Sequence, residues 1–244
     1  MPRGVEKIGR TRFLETAGFG LAAATMAGTS AGKAIAAAGP PPAATTPLQA
    51  IQLLQEGNQR FIKGTSACES LTARRLELTS GQNPFAIVLG CSDSRVPLET
   101  IFDQEPGNLF VVRVAGNFVS DAGLGSIEYG VAVLKSRLIV VLGHSSCGAV
   151  DATIKFVENG TTAPGHIMGI VKQIEPAVAA TKGKSGNWLH NATVQNVRDN
   201  VAAITQRSSI VADAVKSGTV LVTGGVYDLH SGQISPLAHM APSA

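Results

Sequence analysis

Phe85-Ala86-Ile87-Val88-Leu89-Gly90-Cys91-Ser92-Asp93-Ser94-Arg95 decides the fold, through its change of character after Gly90. The stretch up to Gly90 is continuously apolar, and the five residues that follow are polar and turn-like. A short Ile/Val/Leu run without polar alternation is the signature of a strand buried on both faces. Three further runs have the same form: 109–115, ending at Gly116-Asn117; 137–142, ending at Gly143-His144; and 219–223. Helical segments lie between them, near 121–135, 148–158, 166–180 and 193–216. The alternation predicts an α/β fold with a mostly parallel central β-sheet flanked by helices. Upstream, Thr46-Pro47 supplies a capping residue and a first-turn proline for a helix. Its apolar stripe (Leu48, Ile51, Leu54, Phe61) is interrupted at Gly57-Asn58 and stops at Gly64, and a second helix is expected over 70–79. No internal repeat is visible.

The 244 residues fit one such domain plus an extension. Charge marks the boundary. Of 20 basic and 17 acidic residues, five basic (Arg3, Lys7, Arg10, Arg12, Lys33) and two acidic (Glu6, Glu15) fall within the first 38, which leaves 15 of each in the remainder. A neutral domain without a basic stripe is not built for nucleic acid, and no run is apolar and long enough for a stable transmembrane helix. The first 38 residues have the order of an export signal: a basic start, a modestly apolar stretch over 17–27, and small residues at 34–38. Arg10-Thr11-Arg12-Phe13-Leu14 resembles a twin-arginine signal, with Thr11 where the second arginine would stand. Residues 39–46, opening Gly39-Pro40-Pro41-Pro42, read as a linker, and 47–244 as the domain. The expected location is therefore outside the cytoplasm, in the periplasm, with a cytoplasmic protein as the alternative.

Three cysteines do not make a disulfide framework. Cys68 sits alone in a polar stretch and reads as incidental. Cys91 follows one strand, and His144 and Cys147, three apart, follow another where a helix begins. Ligands of parallel sheets bind beyond the carboxyl ends of strands, so the two motifs converge on one site. Two cysteines and one histidine are a zinc ligand set with a fourth position left for water, the composition of a catalytic rather than a structural site. Two thiolates cancel the charge of the ion and acidify its water less than neutral imidazoles would, so neighbouring groups must help. Asp93 can accept a hydrogen bond from that water, and Arg95 can hold Asp93 ionised through a bidentate pair. With the pair open, Asp93 becomes a candidate fourth ligand that shuts the site.

Cys91-Ser92-Asp93-Ser94-Arg95 with His144-Ser145-Ser146-Cys147-Gly148 resembles the β-class carbonic anhydrases, as do 57–61, 106–113, Gly116-Asn117, 126–130 and 226–229. The resemblance covers about residues 47 to 240 and implies the β-carbonic anhydrase fold. It implies one zinc per subunit on Cys91, His144 and Cys147, an Asp93–Arg95 dyad, and reversible hydration of carbon dioxide to bicarbonate and a proton. It also implies a substrate pocket shared across a homodimer or higher homo-oligomer. In the plant-like branch a glutamine nine residues before the first cysteine contacts substrate; Gln82 stands there. Phe110 and Tyr129 match that branch's apolar pocket walls and the Gly148 amide its anion contact, while Ala115 replaces a valine. The branch regulated by bicarbonate carries a tryptophan three residues before the first cysteine, where this chain has Val88. No histidine is assignable as proton shuttle among His166, His190, His230 and His239. The alternatives are a carbonyl sulfide or carbon disulfide hydrolase of the same fold, and a non-catalytic zinc-binding module.

Overall fold

The computed structural model describes residues 44–66 and 71–237. The export signal, most of the linker, Cys68 and His239 lie outside the described residues. Helix α1 (Pro47–Lys63) starts as its sequence requires. The Thr46 hydroxyl accepts from the Gln49 N–H, the Gln49 side chain returns to the Thr46 N–H, and Gly64 closes the helix in the left-handed conformation. The expected interruption at Gly57-Asn58 is not a break. Gly57 passes so close to the backbone at Phe102 that a Cβ there would lie 1.8 Å from the Phe102 carbonyl oxygen. The Asn58 amide donates to the Ile101 and Gly232 carbonyls and accepts from the Ile234 N–H. The small and polar pair docks α1 onto the chain around it.

Helix α2 (Leu71–Glu77) continues into a 3-10 turn at Leu78–Ser80, followed by β1 (Ala86–Gly90), a four-residue α3 (Leu98–Ile101), β2 (Leu109–Arg113) and α4 (Asp121–Ala132). Then come β3 (Leu138–His144), α5 (Gly148–Asn159), α6 (Ile167–Ala179), α7 (Trp188–Arg207), α8 (Ser209–Lys216), β4 (Leu221–Tyr227) and β5 (Ile234–Pro236). The single helix expected over 193–216 is two helices. Ser208 adopts an extended backbone and its side chain accepts from the Val211 N–H, so it ends α7 and caps α8. α7 also begins earlier than expected, capped by Asn187. β4 runs on to Tyr227, and the short β5 was not anticipated.

The sheet order is β2-β1-β3-β4-β5, parallel except for β5, which pairs antiparallel with β4. The chain leaves β1 for β2 on one side and returns past it to β3 on the other. Their carboxyl ends are therefore the switch point where such sheets bind ligands. Alternate residues feed opposite layers. Ala86, Val88, Leu138, Val140 and Leu142 pack with Leu54 of α1 and with Leu98 and Ile101 of α3. Ile87, Leu89, Ile139 and Val141 pack with Ile127 of α4, Val201 and Ile204 of α7 and Val211 of α8. Each fully buried Leu or Ile contributes about 1.5–3 kcal/mol relative to exposure, so both faces of β1 and β3 are firmly held beneath the site.

Candidate metal centre

Cys91 is the first residue after β1 and His144 the last of β3, and the register Gly90↔Leu142 sets these two strand ends side by side. Cys147 caps the amino end of α5. The two sulfurs and a ring nitrogen lie within 4.8 Å of one another, and all three residues are buried. The turn between His144 and Cys147 is tied to the end of β4. The Ser145 N–H donates to the Tyr227 carbonyl, and the Ser145 hydroxyl accepts from the Leu229 N–H. Ser146 then takes a left-handed backbone (φ 55°) to turn Cys147 inward. Gly143 lets α7 approach, since a Cβ there would meet Val197 at 2.8 Å.

The donor set fits a metal ion. His144 is wholly buried; its Nδ1 lies 2.9 Å from the Ser145 carbonyl oxygen, to which it donates, and its Nε2 has no hydrogen-bond partner among the described residues. A buried polar atom without a partner costs about 1–3 kcal/mol, and a lone pair held this way is what a cation relieves. The thiols are prepared as well. The Cys147 thiol, hydrogen-bonding to Cys91, brings the Cys91 thiol down to about 4 against the opposing effect of burial, with support from His144 and the Gly116 and Asp93 N–H groups. Cys147 moves up because it is the partner in that bond and is itself buried beside a thiolate, while the Val150 and Ala149 N–H groups of α5 pull it back.

Asp93 and Arg95 form the dyad that their spacing suggested. Arg95 Nε donates to Asp93 Oδ1 at 2.9 Å and Nη2 to Oδ2 at 2.7 Å, and the Arg95 backbone N–H adds a third bond to Oδ1. These bonds, the side-chain fork first, hold the Asp93 carboxyl well below the usual carboxylate range against burial. Asp93 Oδ2 lies 3.9 Å from His144 Nε2. Arg95 also reaches the Ser146 carbonyl at 3.3 Å, so one guanidinium joins the two motifs. Gly148 opens α5 with free space where a side chain would stand.

Gln82, Phe110 and Tyr129 are not brought to this place within one chain. Gln82 precedes β1, and β1 alone spans roughly 16 Å at the usual strand rise. Phe110 is the second residue of β2, paired with Ile87 near the amino end of the sheet, and its ring lies 6.1 Å from that of Tyr129. Gln82 is exposed, and Tyr129 is 48% exposed. Gln82 and Tyr129 are thus accessible, and Phe110 half-buried, at the end of the sheet opposite Cys91. Ala115, next to Gly116, is at the Cys91 end, and Val88 is wholly buried between β1 and α3. A cavity of about 700 Å³ between α1 and the β3–β5 edge contains none of the expected site residues.

Two contributors were not foreseen. Arg113, at the end of β2, donates to the Cys91 carbonyl at 2.9 Å and to the Asp93 carbonyl at 2.6 Å. The Gly116 N–H donates to Cys91 Sγ at 3.2 Å. The available signal was positional: both close the strand run at 109–115, and a parallel neighbour of the Cys91 strand must end beside Cys91.

A buried Cys–His–Cys group at the switch point of a parallel sheet, with an ion-paired carboxylate at its mouth, is the site of an α/β enzyme whose donors could hold a metal ion. Residues 86–234 match the family model described as carbonic anhydrase. The carbonic anhydrase of Mycolicibacterium smegmatis is 40% identical over 197 residues, 80% of this chain and 96% of that protein. Of solved structures, one of two tetrameric β-carbonic anhydrases from Sordaria macrospora aligns at a TM-score of 0.59 and 27% identity, covering 67% of this chain and 85% of that chain. The Coccomyxa β-carbonic anhydrase in complex with acetazolamide aligns at 0.57 and 29%, covering 76% and 86%. The chain belongs to the carbonic anhydrase family, in its β class.

Proposed function

We propose that the chain catalyses the reversible hydration of carbon dioxide to bicarbonate and a proton, with one zinc ion held by Cys91, His144 and Cys147. The observation that carries this reading is the buried, unpartnered His144 Nε2 lying within 4.8 Å of two cysteine sulfurs. Zinc in such a set keeps one position for water and makes that water a nucleophile near neutral pH. The protein does the rest. Asp93, ionised and acceptor-only, takes a hydrogen bond from the substrate water at Oδ2 and so aims its lone pair at carbon dioxide. Arg95 keeps Asp93 ionised and pointed, and Arg113 fixes the loop that carries it. The Gly116 N–H draws charge from the Cys91 sulfur, and the first turn of α5 does the same for Cys147, which offsets two thiolates' neutralisation of the ion. The Gly148 N–H, at the positive end of α5, suits an oxygen of bicarbonate.

Gln82, Phe110 and Tyr129 complete the pocket from a second copy of the chain. The exposure of Gln82 and Tyr129 at the far end of the sheet, beside Phe110, supports this, because a two-fold pairing can set the amino end of one sheet against the carboxyl end of another. Purified zinc-loaded protein should accelerate carbon dioxide hydration, and Cys147→Ser should lose both metal and activity. Zinc-replete, folded protein inert from neutral to alkaline pH would overturn the reading, and an assay of sulfide release from carbonyl sulfide separates the hydrolase alternative.

Export to the periplasm is part of the same proposal and is supported by the basic, apolar and small-residue order of residues 1–38. Among the described residues no helix is long and apolar enough to cross a membrane. Fractionation of expressing cells, with the amino terminus of the mature chain read after Ala36 or Ala38, tests it. A full-length chain retained in the cytoplasm would overturn it.

A further inference from the structure

Helix α7 carries two asparagines on its buried face, Asn196 and Asn200, among Ala192, Val197, Val201 and Ile204. Amides do not belong in an apolar stripe unless each of their groups has a partner, and here the partners lie in one short loop. Asn196 Nδ2 donates to the Gly116 carbonyl at 2.9 Å, and Asn200 Oδ1 accepts from the Val119 N–H at 2.7 Å. Asn200 Nδ2 donates back to the Asn196 carbonyl and side-chain oxygen at 2.8 and 3.1 Å, which locks the orientation of both amides. The clamped loop is unusual backbone. Gly116 (φ 82°) and Asn117 (φ 44°) are both left-handed, and a Cβ on Gly116 would lie 2.4 Å from Ile174. The Gly116 N–H is the group that donates to Cys91 Sγ.

We infer that Asn196 is a positioning residue of the metal centre: its side-chain amide fixes the Gly116 carbonyl and so holds the Gly116 N–H on the Cys91 sulfur. The inference rests on Cys91, His144 and Cys147 being metal ligands. A hydrogen bond to a ligating sulfur lowers the charge the sulfur donates, and the metal is left correspondingly more electron-poor. Asn196 acts at one remove, since without it the Gly116 carbonyl is buried and unpaired and the Gly116 end of the left-handed loop loses its tie to α7. Asn200 sets the Asn196 amide and pins the other end of the loop, so it forms the second rung of the same device.

The test uses the full chain loaded with cobalt in place of zinc. The sulfur-to-cobalt charge-transfer absorption of Asn196→Ala should move to longer wavelength than in the unmutated chain. With zinc, kcat at neutral pH should fall about 10-fold while KM changes little, and the alkaline rise of the rate should shift to higher pH. Val201→Ala, on the same buried face but packed against Gly224 of β4 and bonded to neither Gly116 nor Val119, should loosen α7 without moving the absorption. Asn200→Ser should give a smaller shift of the same sign as Asn196→Ala. Independently of any variant, the unmutated chain loaded with ¹¹³Cd should show a scalar coupling between the cadmium and the Gly116 amide proton. An unchanged absorption in folded, metal-replete Asn196→Ala, an equal shift in Val201→Ala, or no cadmium coupling to Gly116 would each overturn the inference. If the unmutated chain took up neither cobalt nor cadmium, the metal reading would fail and this inference with it.

Discussion

Arg95 grips Asp93 through two parallel bonds of 2.9 and 2.7 Å while its own side chain remains half in solvent. The geometry is the bidentate fork that only arginine supplies. Arg95→Lys should therefore lose most of the benefit and lower kcat about 10- to 100-fold. Asp93→Asn, which cannot accept in the same way, should lower it about 100- to 10,000-fold. Steady-state hydration kinetics on zinc-loaded proteins measure both.

The same pair predicts a pH behaviour. The Asp93 carboxyl lies below its usual value because Arg95 hydrogen-bonds it. A depressed carboxyl contributes stability that is fully present above its unfolded value near 3.9 and is lost as pH falls through the lower folded value. Between pH 5 and 9 it stays ionised, so the acid limb of the rate profile should not respond to Arg95→Lys except in amplitude. A shift in the position of that limb would contradict the assignment.

Metal uptake should release a proton. In the metal-free chain Cys91 is brought down to about 4 by its bond with Cys147, while Cys147 is pushed up and keeps its proton. Near neutral pH the pair holds one proton, which the metal must displace, so zinc binding should release about one proton and tighten as pH rises. Calorimetric titrations in buffers of different ionisation enthalpy count these protons.

Much of this was legible in the chain, and the reasons are specific. The runs at 85–90 and 138–142 are apolar at every pleat because β1 and β3 are covered on both faces, and 109–115 is broken only by Arg113, so the pattern declared a parallel sheet. The candidate ligands were legible because Cys91 and His144 close two of those runs and Cys147 stands three residues after His144. Gly57-Asn58 misled because a glycine and an asparagine weaken a helix locally, whereas here tertiary contacts with Phe102, Ile101 and Gly232 favour them. The three residues of β5 have too little pattern to stand out. Asn196 was invisible for a related reason: in one dimension it is a polar residue in a helix, and only the approach of the Gly116 loop gives it a role.

Gly57 offers a direct check of that approach. Gly57→Ala places a methyl 1.8 Å from the Phe102 oxygen, with backbone on both sides. Overpacking that cannot relax into a flexible side chain should destabilise by about 3 kcal/mol, lowering Tm by about 6–12 °C for a domain of this size. Thermal denaturation measures it, and a change within about 1 °C would show that α1 slides freely.

Arg113 is exposed, yet it bonds two carbonyls of the Asp93 loop. Arg113→Met should leave Tm nearly unchanged, as surface substitutions stay within about 0.5 kcal/mol. It should nonetheless reduce kcat about 10-fold. Arg113→Lys, which keeps one donor, should recover part of the loss.

The sheet holds Cys91, His144 and Cys147 at one end and Gln82, Phe110 and Tyr129 at the other. If a pocket takes one end from each of two chains, injury is shared unequally. A Cys147→Ser chain is blind at its own site but sound as a donor to its neighbour, and a Gln82→Ala chain is the reverse. Two crippled preparations, unfolded and refolded together in equal amounts, should then rescue each other, with about a quarter of all sites fully wild-type under random two-fold pairing. Catalytic competence in such a protein is a property of the pair, transmitted through the length of a strand.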